Sequence, residues 1–165
     1  MSWCARYALR CRCCADFFNL TPLVQRAPMF ERQQEMIDMF AAIDDWQDRY
    51  RLIIDLGKEL EPLPEVLRTE ENRVKGCQSQ VWLVATREGE RLCFRGDSDA
   101  AIVRGLVALV LQVYSGQTPE EILAVPPSFV DEIGLAKHLS QNRANGLSAM
   151  LKRIQDHARA ALAQS

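Results

Sequence analysis

The sequence predicts an α+β fold, a small antiparallel sheet packed by several helices. Three features lead to that expectation. Two adjacent segments rich in β-branched and aromatic residues, Gln80 to Thr86 and Arg91 to Arg95, are separated by a Glu88-Gly89 turn. Stretches of helical apolar period lie on both sides of that hairpin, and one of them is apolar nearly all round. The 165 residues, 48% of them hydrophobic, are enough for one core and show no internal repeat or second domain.

The elements follow in order. Met29 to Phe40 places Phe30, Ile37 and Phe40 on one helical face, widened by Met36 and Met39, with Gln33 and Gln34 outward. Asp44 or Asp45 caps a second helix whose buried stripe is Trp46, Tyr50, Ile53, Ile54 and Leu56. Gly57 falls near its end, and Pro62 and Pro64 forbid continuation. Glu65 to Lys75 reads as a charged connection into the hairpin. Both faces of the first strand are apolar, so helices are expected over at least one side of the sheet. Gly96-Asp97-Ser98 is expected to stop the second strand and cap a buried helix from about Asp99 to Ser115, ended by Gly116. Thr118-Pro119 has the form of a helix start, and Pro126-Pro127 breaks that helix. A short piece begins at Ser128. The last helix runs from about Arg143 to Ala163 on Leu147, Met150, Leu151 and Ile154.

Bulk chemistry excludes several classes. A net charge of -2 offers no basic field for nucleic acid, and no apolar run approaches the ~20 residues of a membrane span. The expectation is a cytoplasmic protein without nucleic-acid or membrane partners. Of six cysteines, Cys4, Cys11, Cys13 and Cys14 crowd the start, which does not suit a disulfide framework.

Residues 1–28 differ from the rest. They are basic, lack a sustained period and end in Ala27-Pro28. Arg6, Arg10 and Arg12 interrupt any signal-peptide core, serine is sparse for a targeting segment, and the cysteines lack zinc-site spacing. Two readings stay open: a disordered extension, or a start assigned upstream of a true Met29. The remaining domain is 29–165.

His138 and His157 have no partner residues at metal-ligand spacing, so both are expected to be surface or satisfied residues, with no metal. Asp97 and Asp99 flank the expected helix start and read as carboxylates held by its free backbone donors. Cys93, between Leu92 and Phe94, reads as a buried small hydrophobe. Cys77 differs, sitting in a polar loop among Arg73, Lys75, Gln78 and Ser79. Exposure and the nearby cations would favour its thiolate. Local chemistry leaves a reactive and an incidental cysteine both open.

Gly76-Cys77-Gln78-Ser79-Gln80-Val81-Trp82 resembles the signature of the SufE family of sulfur acceptors. Four further stretches agree in order: Asp45 to Pro64, Gly96 to Leu106, the TPEEI segment at Thr118, and Asn142 to Leu147. The resemblance implies an IscU-like α+β fold and sulfur accepted as a persulfide on Cys77 from a pyridoxal-phosphate cysteine desulfurase of the SufS or CsdA kind. It implies stimulation of that desulfurase and delivery to an iron–sulfur scaffold. The pyridoxal phosphate stays with the desulfurase, so the chain needs no cofactor and acts as a covalent carrier rather than a stand-alone enzyme. Gln78, Ser79, Asp99 and Arg143 are the positions it implies for partner docking or loop placement. The Gln78-Ser79-Gln80 triplet is similar to SufE itself, and FVDEIGL at Phe129 to the related CsdE branch. Two alternatives from other classes remain, an iron–sulfur scaffold and an activator that carries no sulfur. A cluster normally needs about four protein ligands, and past Met29 the chain offers only Cys77 and Cys93. A loop tucked in when free and swung out when bound would let Cys77 serve both donor and acceptor.

Overall fold

The computed structural model describes residues 28–164. The two readings of residues 1–28 lie, but for Pro28, outside the described residues. The fold is α+β: a two-stranded antiparallel sheet and seven α-helices among the described residues.

Strands β1 (Val81–Glu88) and β2 (Arg91–Ser98) pair in register from Val81↔Ser98 to Glu88↔Arg91. Both edges of this ribbon are occupied. Along β1, Val74 N donates to Val81 O at 2.8 Å and Leu83 N to Asn72 O at 2.8 Å. Along β2, Leu92 N donates to Gln117 O at 2.9 Å and Gly116 N to Leu92 O at 2.7 Å. At Val81, Leu83 and Leu92 the edge groups that would otherwise invite a foreign strand are thereby satisfied.

The second strand runs on through Gly96 and Asp97 to Ser98, past its expected end at Arg95. Gly96 is a packing residue here, because a Cβ would meet Val107 Cγ1 at 2.8 Å and Trp82 O at 3.0 Å. Helix α3 (Ala101–Tyr114) therefore starts later than expected, with Ala100 as its N-cap. As its composition predicts, it is the buried centre of the molecule, with Leu106, Leu109 and Val113 fully enclosed. Helices α1 (Met29–Ala41), α2 (Trp46–Glu59) and α7 (Gln141–Ala163) pack around it.

Helix α2 is capped by Asp45, which accepts from Gln47 N at 2.7 Å. Gly57 falls near the end of this helix, as expected, and faces Gly105 of α3. Helix α1 is rotated from its expected face. Its buried residues are Met29, Arg32, Gln33, Met36 and Phe40, whereas Phe30 is 67% exposed. The cause is polar. Gln33, 2% exposed, donates to Pro126 O at 3.0 Å and accepts from Phe129 N at 3.3 Å. Arg32 donates to the Gln112 and Ser115 carbonyls at the end of α3, where free acceptors and the helix dipole favour a cation.

Three short helices, α4 (Pro119–Ala124), α5 (Phe129–Glu132) and α6 (Leu135–His138), lead into α7. Thr118-Pro119 opens a helix as expected, and Thr118 forms a capping box with Glu121 as the reciprocal partner. Helix α7 starts at Gln141, two residues before the expected Arg143. Among the described residues no helix is long and apolar enough to cross a membrane.

Candidate functional site

Cys77 sits on the loop that joins the edge segment 72–74 to β1. The ends of this loop are fixed and adjacent, since Val74 is buried and bonded to Val81. Gly76 takes φ +93°, a conformation that L side chains rarely adopt, and so turns the chain just before the cysteine. At the far end, Gln80 N donates to Asp99 Oδ1 at 3.0 Å and Ser98 Oγ donates to Gln80 O at 2.8 Å.

The loop folds down onto α7. The Cys77 thiol contacts Gly146 O at 3.6 Å, and a Cβ on Gly146 would stand 3.3 Å from Sγ. Gly146 is thus a niche for the sulfur. Beside it lies a recess of about 200 Å³ with Cys77, Gln78 and Ser79 on the loop side. Ala100, Ile102 and Val103 line it from the start of α3, and Ser140, Asn142, Arg143 and Gly146 from the start of α7. Asn142 Nδ2 donates to Gln78 Oε1 at 2.7 Å, linking the two sides.

The structure brings four of the five expected site residues to this recess: Cys77, Gln78, Ser79 and Arg143. Arg143 is exposed. Asp99 is not on its wall and instead holds the end of the loop through Gln80. Asp97 does not share the helix-start role expected of both aspartates. It is 2% exposed and lies between Arg68 Nη2 at 2.8 Å and Arg104 Nε at 3.3 Å. It also accepts from Leu63 N at 3.1 Å.

The electrostatics of Cys77 differ from expectation. Arg73 is engaged by Glu70 at 3.3 Å, and half-burial pushes the thiol pKa up rather than down. The rate of iodoacetamide alkylation should therefore climb at a higher pH than for a free cysteine. A pH–rate profile of the free protein tests this, and a midpoint below that of free cysteine would contradict it.

Cys93 is buried in β2, as expected. His138 stacks on Trp46 with ring centroids 3.7 Å apart. His157 is half-buried near Phe94, and desolvation together with Arg153 lowers its pKa. Neither histidine lines the recess. Sequence reasoning missed Asn142, Gly146 and the apolar wall of Ile102 and Val103. An isolated glycine inside a helical pattern was the available signal for Gly146.

A single half-sheltered thiol, on a loop pinned at both ends and facing a small recess, defines a class: a compact α+β protein whose candidate chemistry belongs to one cysteine. The sequence pattern of the SufE family, described as an Fe-S metabolism associated domain, matches residues 34–158. An uncharacterised SufE-like protein of Rhizobium meliloti (strain 1021) is 51% identical over 129 residues, covering 75% of this chain and 92% of its own length. Another, from Rhizobium etli, is 51% identical over 130 residues, covering 76% of this chain and 88% of its own. The solution structure of a hypothetical protein from Thermus thermophilus superimposes with a TM-score of 0.67 at 26% identity, covering 80% of this chain and 96% of that one. The chain belongs to the SufE family and is associated with Fe–S metabolism.

Proposed function

We propose that this protein accepts sulfane sulfur from a cysteine desulfurase onto Cys77, stimulates that enzyme by removing its product, and delivers the sulfur for iron–sulfur cluster assembly. The observation that carries the reading is the half-buried Cys77 thiol, seated in the Gly146 niche on a loop whose two ends are fixed.

The chemistry needs little from the protein. The Cys77 thiolate attacks the terminal sulfur of the donor's persulfide. A Cys77 Sγ–S bond forms, the donor's S–S bond breaks, and the donor cysteine leaves as its thiolate. The proton lost by Cys77 passes to solvent, and the number of sulfane sulfurs is unchanged. Gly146 and the recess lower the thiolate fraction while the loop is seated. Moving the loop outward restores hydration and an ordinary thiol. Sheltering therefore works against reaction in the free protein and in favour of it once a partner has drawn the loop out. Gln78, Ser79 and Arg143 are then placed to meet the partner, and Asp99 to hold the end of the loop.

A carrier fits better than a cluster scaffold. Cys93 pairs with Thr86, five residues up the ribbon from Val81, which sets it back from the loop end by roughly 16 Å of strand rise.

The test is intact-protein mass spectrometry after incubation with a cysteine desulfurase and free cysteine. Wild type should gain about 32 Da, one sulfur atom, and Cys77→Ser should gain nothing. Desulfurase turnover stimulated equally by both proteins, with no adduct on either, would leave a binding activator and remove the carrier assignment.

A further inference from the structure

The Cys77 recess is walled by the loop at 77–79, the start of α3 and the start of α7, and the sulfur itself sits against α7. With the loop ends fixed by Val74, Val81 and Gln80, two side-chain hydrogen bonds join the tip to α7 among the described residues. The thiol–carbonyl contact to Gly146, at 3.6 Å, is weak because a thiol is a poor donor. Gly76 has no side chain to reach α7, and even an added Cβ would stand 3.8 Å from Ala149 Cβ. The strong contact is Asn142 Nδ2 to Gln78 Oε1 at 2.7 Å. Gln78 is the residue next to the sulfur, and Asn142 is the second residue of a 23-residue helix packed on the core. This bond joins the cysteine loop to a helix anchored on the core.

We infer that the Gln78–Asn142 amide pair is the latch that sets how often the Cys77 loop leaves its seat. The inference deepens the proposed function and rests on that reading for its purpose, though the latch itself is measurable without a partner. Both residues are exposed, so the bond competes with water and is worth only a small factor in the opening equilibrium. A small factor suits a latch that a docking partner must undo. The amides are positioning residues, because neither needs to touch the transferred sulfur.

The chemistry of the pair supplies a test that a merely structural role would not mimic. Gln78→Met removes the acceptor at similar length. Gln78→Glu keeps an acceptor for Asn142 Nδ2. Asn142→Asp alone is tolerated, because the Gln78 amide can turn over and donate. Gln78→Glu combined with Asn142→Asp sets two acceptors against each other and breaks the bond.

The readout is Cys77 alkylation in the full chain. A bulky maleimide that reacts only with the displaced loop is compared with iodoacetamide as the small reference, with thermal unfolding as the fold control. Gln78→Met and the double acidic variant should raise the bulky-to-small rate ratio by about two- to five-fold, and the two single acidic variants should stay near wild type. Equal ratios for Gln78→Met and Gln78→Glu, or a double acidic variant no different from its parents, would overturn the latch. The desulfurase loading assay on wild type is run in parallel. Failure of loading with a latch signature intact rejects the carrier reading alone, and loading without a latch signature rejects the latch alone.

Discussion

Replacing Gly105 with alanine is expected to destabilise the protein by about 3 kcal/mol or more, although alanine is the better helix former by ~1 kcal/mol. The sign follows from the crossing of α2 and α3. A Cβ at Gly105 would stand 2.1 Å from Ile53 O and 2.5 Å from Ile53 Cγ2. The reverse approach is also tighter than a Cβ can make, since a Cβ on Gly57 would meet Gly105 N at 2.7 Å. Backbone atoms cannot rotate away as a long side chain can, so one methyl group must push apart two helices at the centre of the core. That cost is a large share of the ~5–15 kcal/mol by which a domain of this size is stable. Urea unfolding of Gly105→Ala beside wild type measures it. A stabilised variant would show that the two helices do not approach this closely.

Asp97→Ala is expected to cost about 3–5 kcal/mol, the range for breaking a buried charge pair by removing one partner. The carboxylate gathers three parts of the chain. It accepts from Leu63 N at 3.1 Å, from Arg68 Nη2 at 2.8 Å and from its neighbour Ser98 N at 2.8 Å, and it faces Arg104 Nε at 3.3 Å. Arg68 also lies over the Trp82 ring at 5.4 Å, and Arg104 donates to Leu60 O at 2.7 Å. Without the carboxylate, two guanidinium groups share a mostly enclosed site with no counter-charge, and the Leu63 N–H loses its acceptor. The segment that Asp97 ties down leads, through Val74, to the loop of Cys77. The variant should therefore also expose Cys77 to alkylating reagents under conditions where it remains folded. A midpoint of denaturation unchanged from wild type would refute the account of this cluster.

Much of the architecture was legible in the sequence, for physical reasons that differ by element. The hairpin was readable because two segments rich in branched and aromatic residues flank a Gly-containing turn, a purely local signal. Helix α3 was readable because a helix apolar on all sides has no place but the interior. Helix α1 was misread in rotation because Arg32 and Gln33 are buried by partners far along the chain, Ser115 and Phe129. A polar side chain that satisfies distant backbone groups leaves no local mark. Gly96 and Asp97 misled in the same way. A glycine followed by an aspartate has the form of a strand end and helix cap, yet here one fits a crowded face and the other neutralises two arginines.

At the site, the polar loop left Cys77 open between a reactive and an incidental residue, and resemblance singled it out together with Gln78, Ser79, Asp99 and Arg143. The recess itself could not be read, because its far wall comes from the start of α7, more than sixty residues later. The direction of the thiol shift was misjudged for the same reason. Nearby Arg73 suggested a stabilised thiolate, but Arg73 is occupied by Glu70, and packing against Gly146 removes water from the sulfur.

The bond between Val74 and Val81 has a geometric consequence. It closes the base of the loop, so Cys77, three residues beyond Val74, can project at most ~10 Å from the end of the ribbon before the stem must tear. A donor whose sulfur lies at the bottom of a cleft deeper than this cannot be served by the loop alone. The body of the protein must then enter the cleft as well, which makes the depth of the donor's cleft a criterion for choosing among partners. Lengthening the loop by inserted residues would relax that criterion, and shortening it would exclude donors that wild type serves.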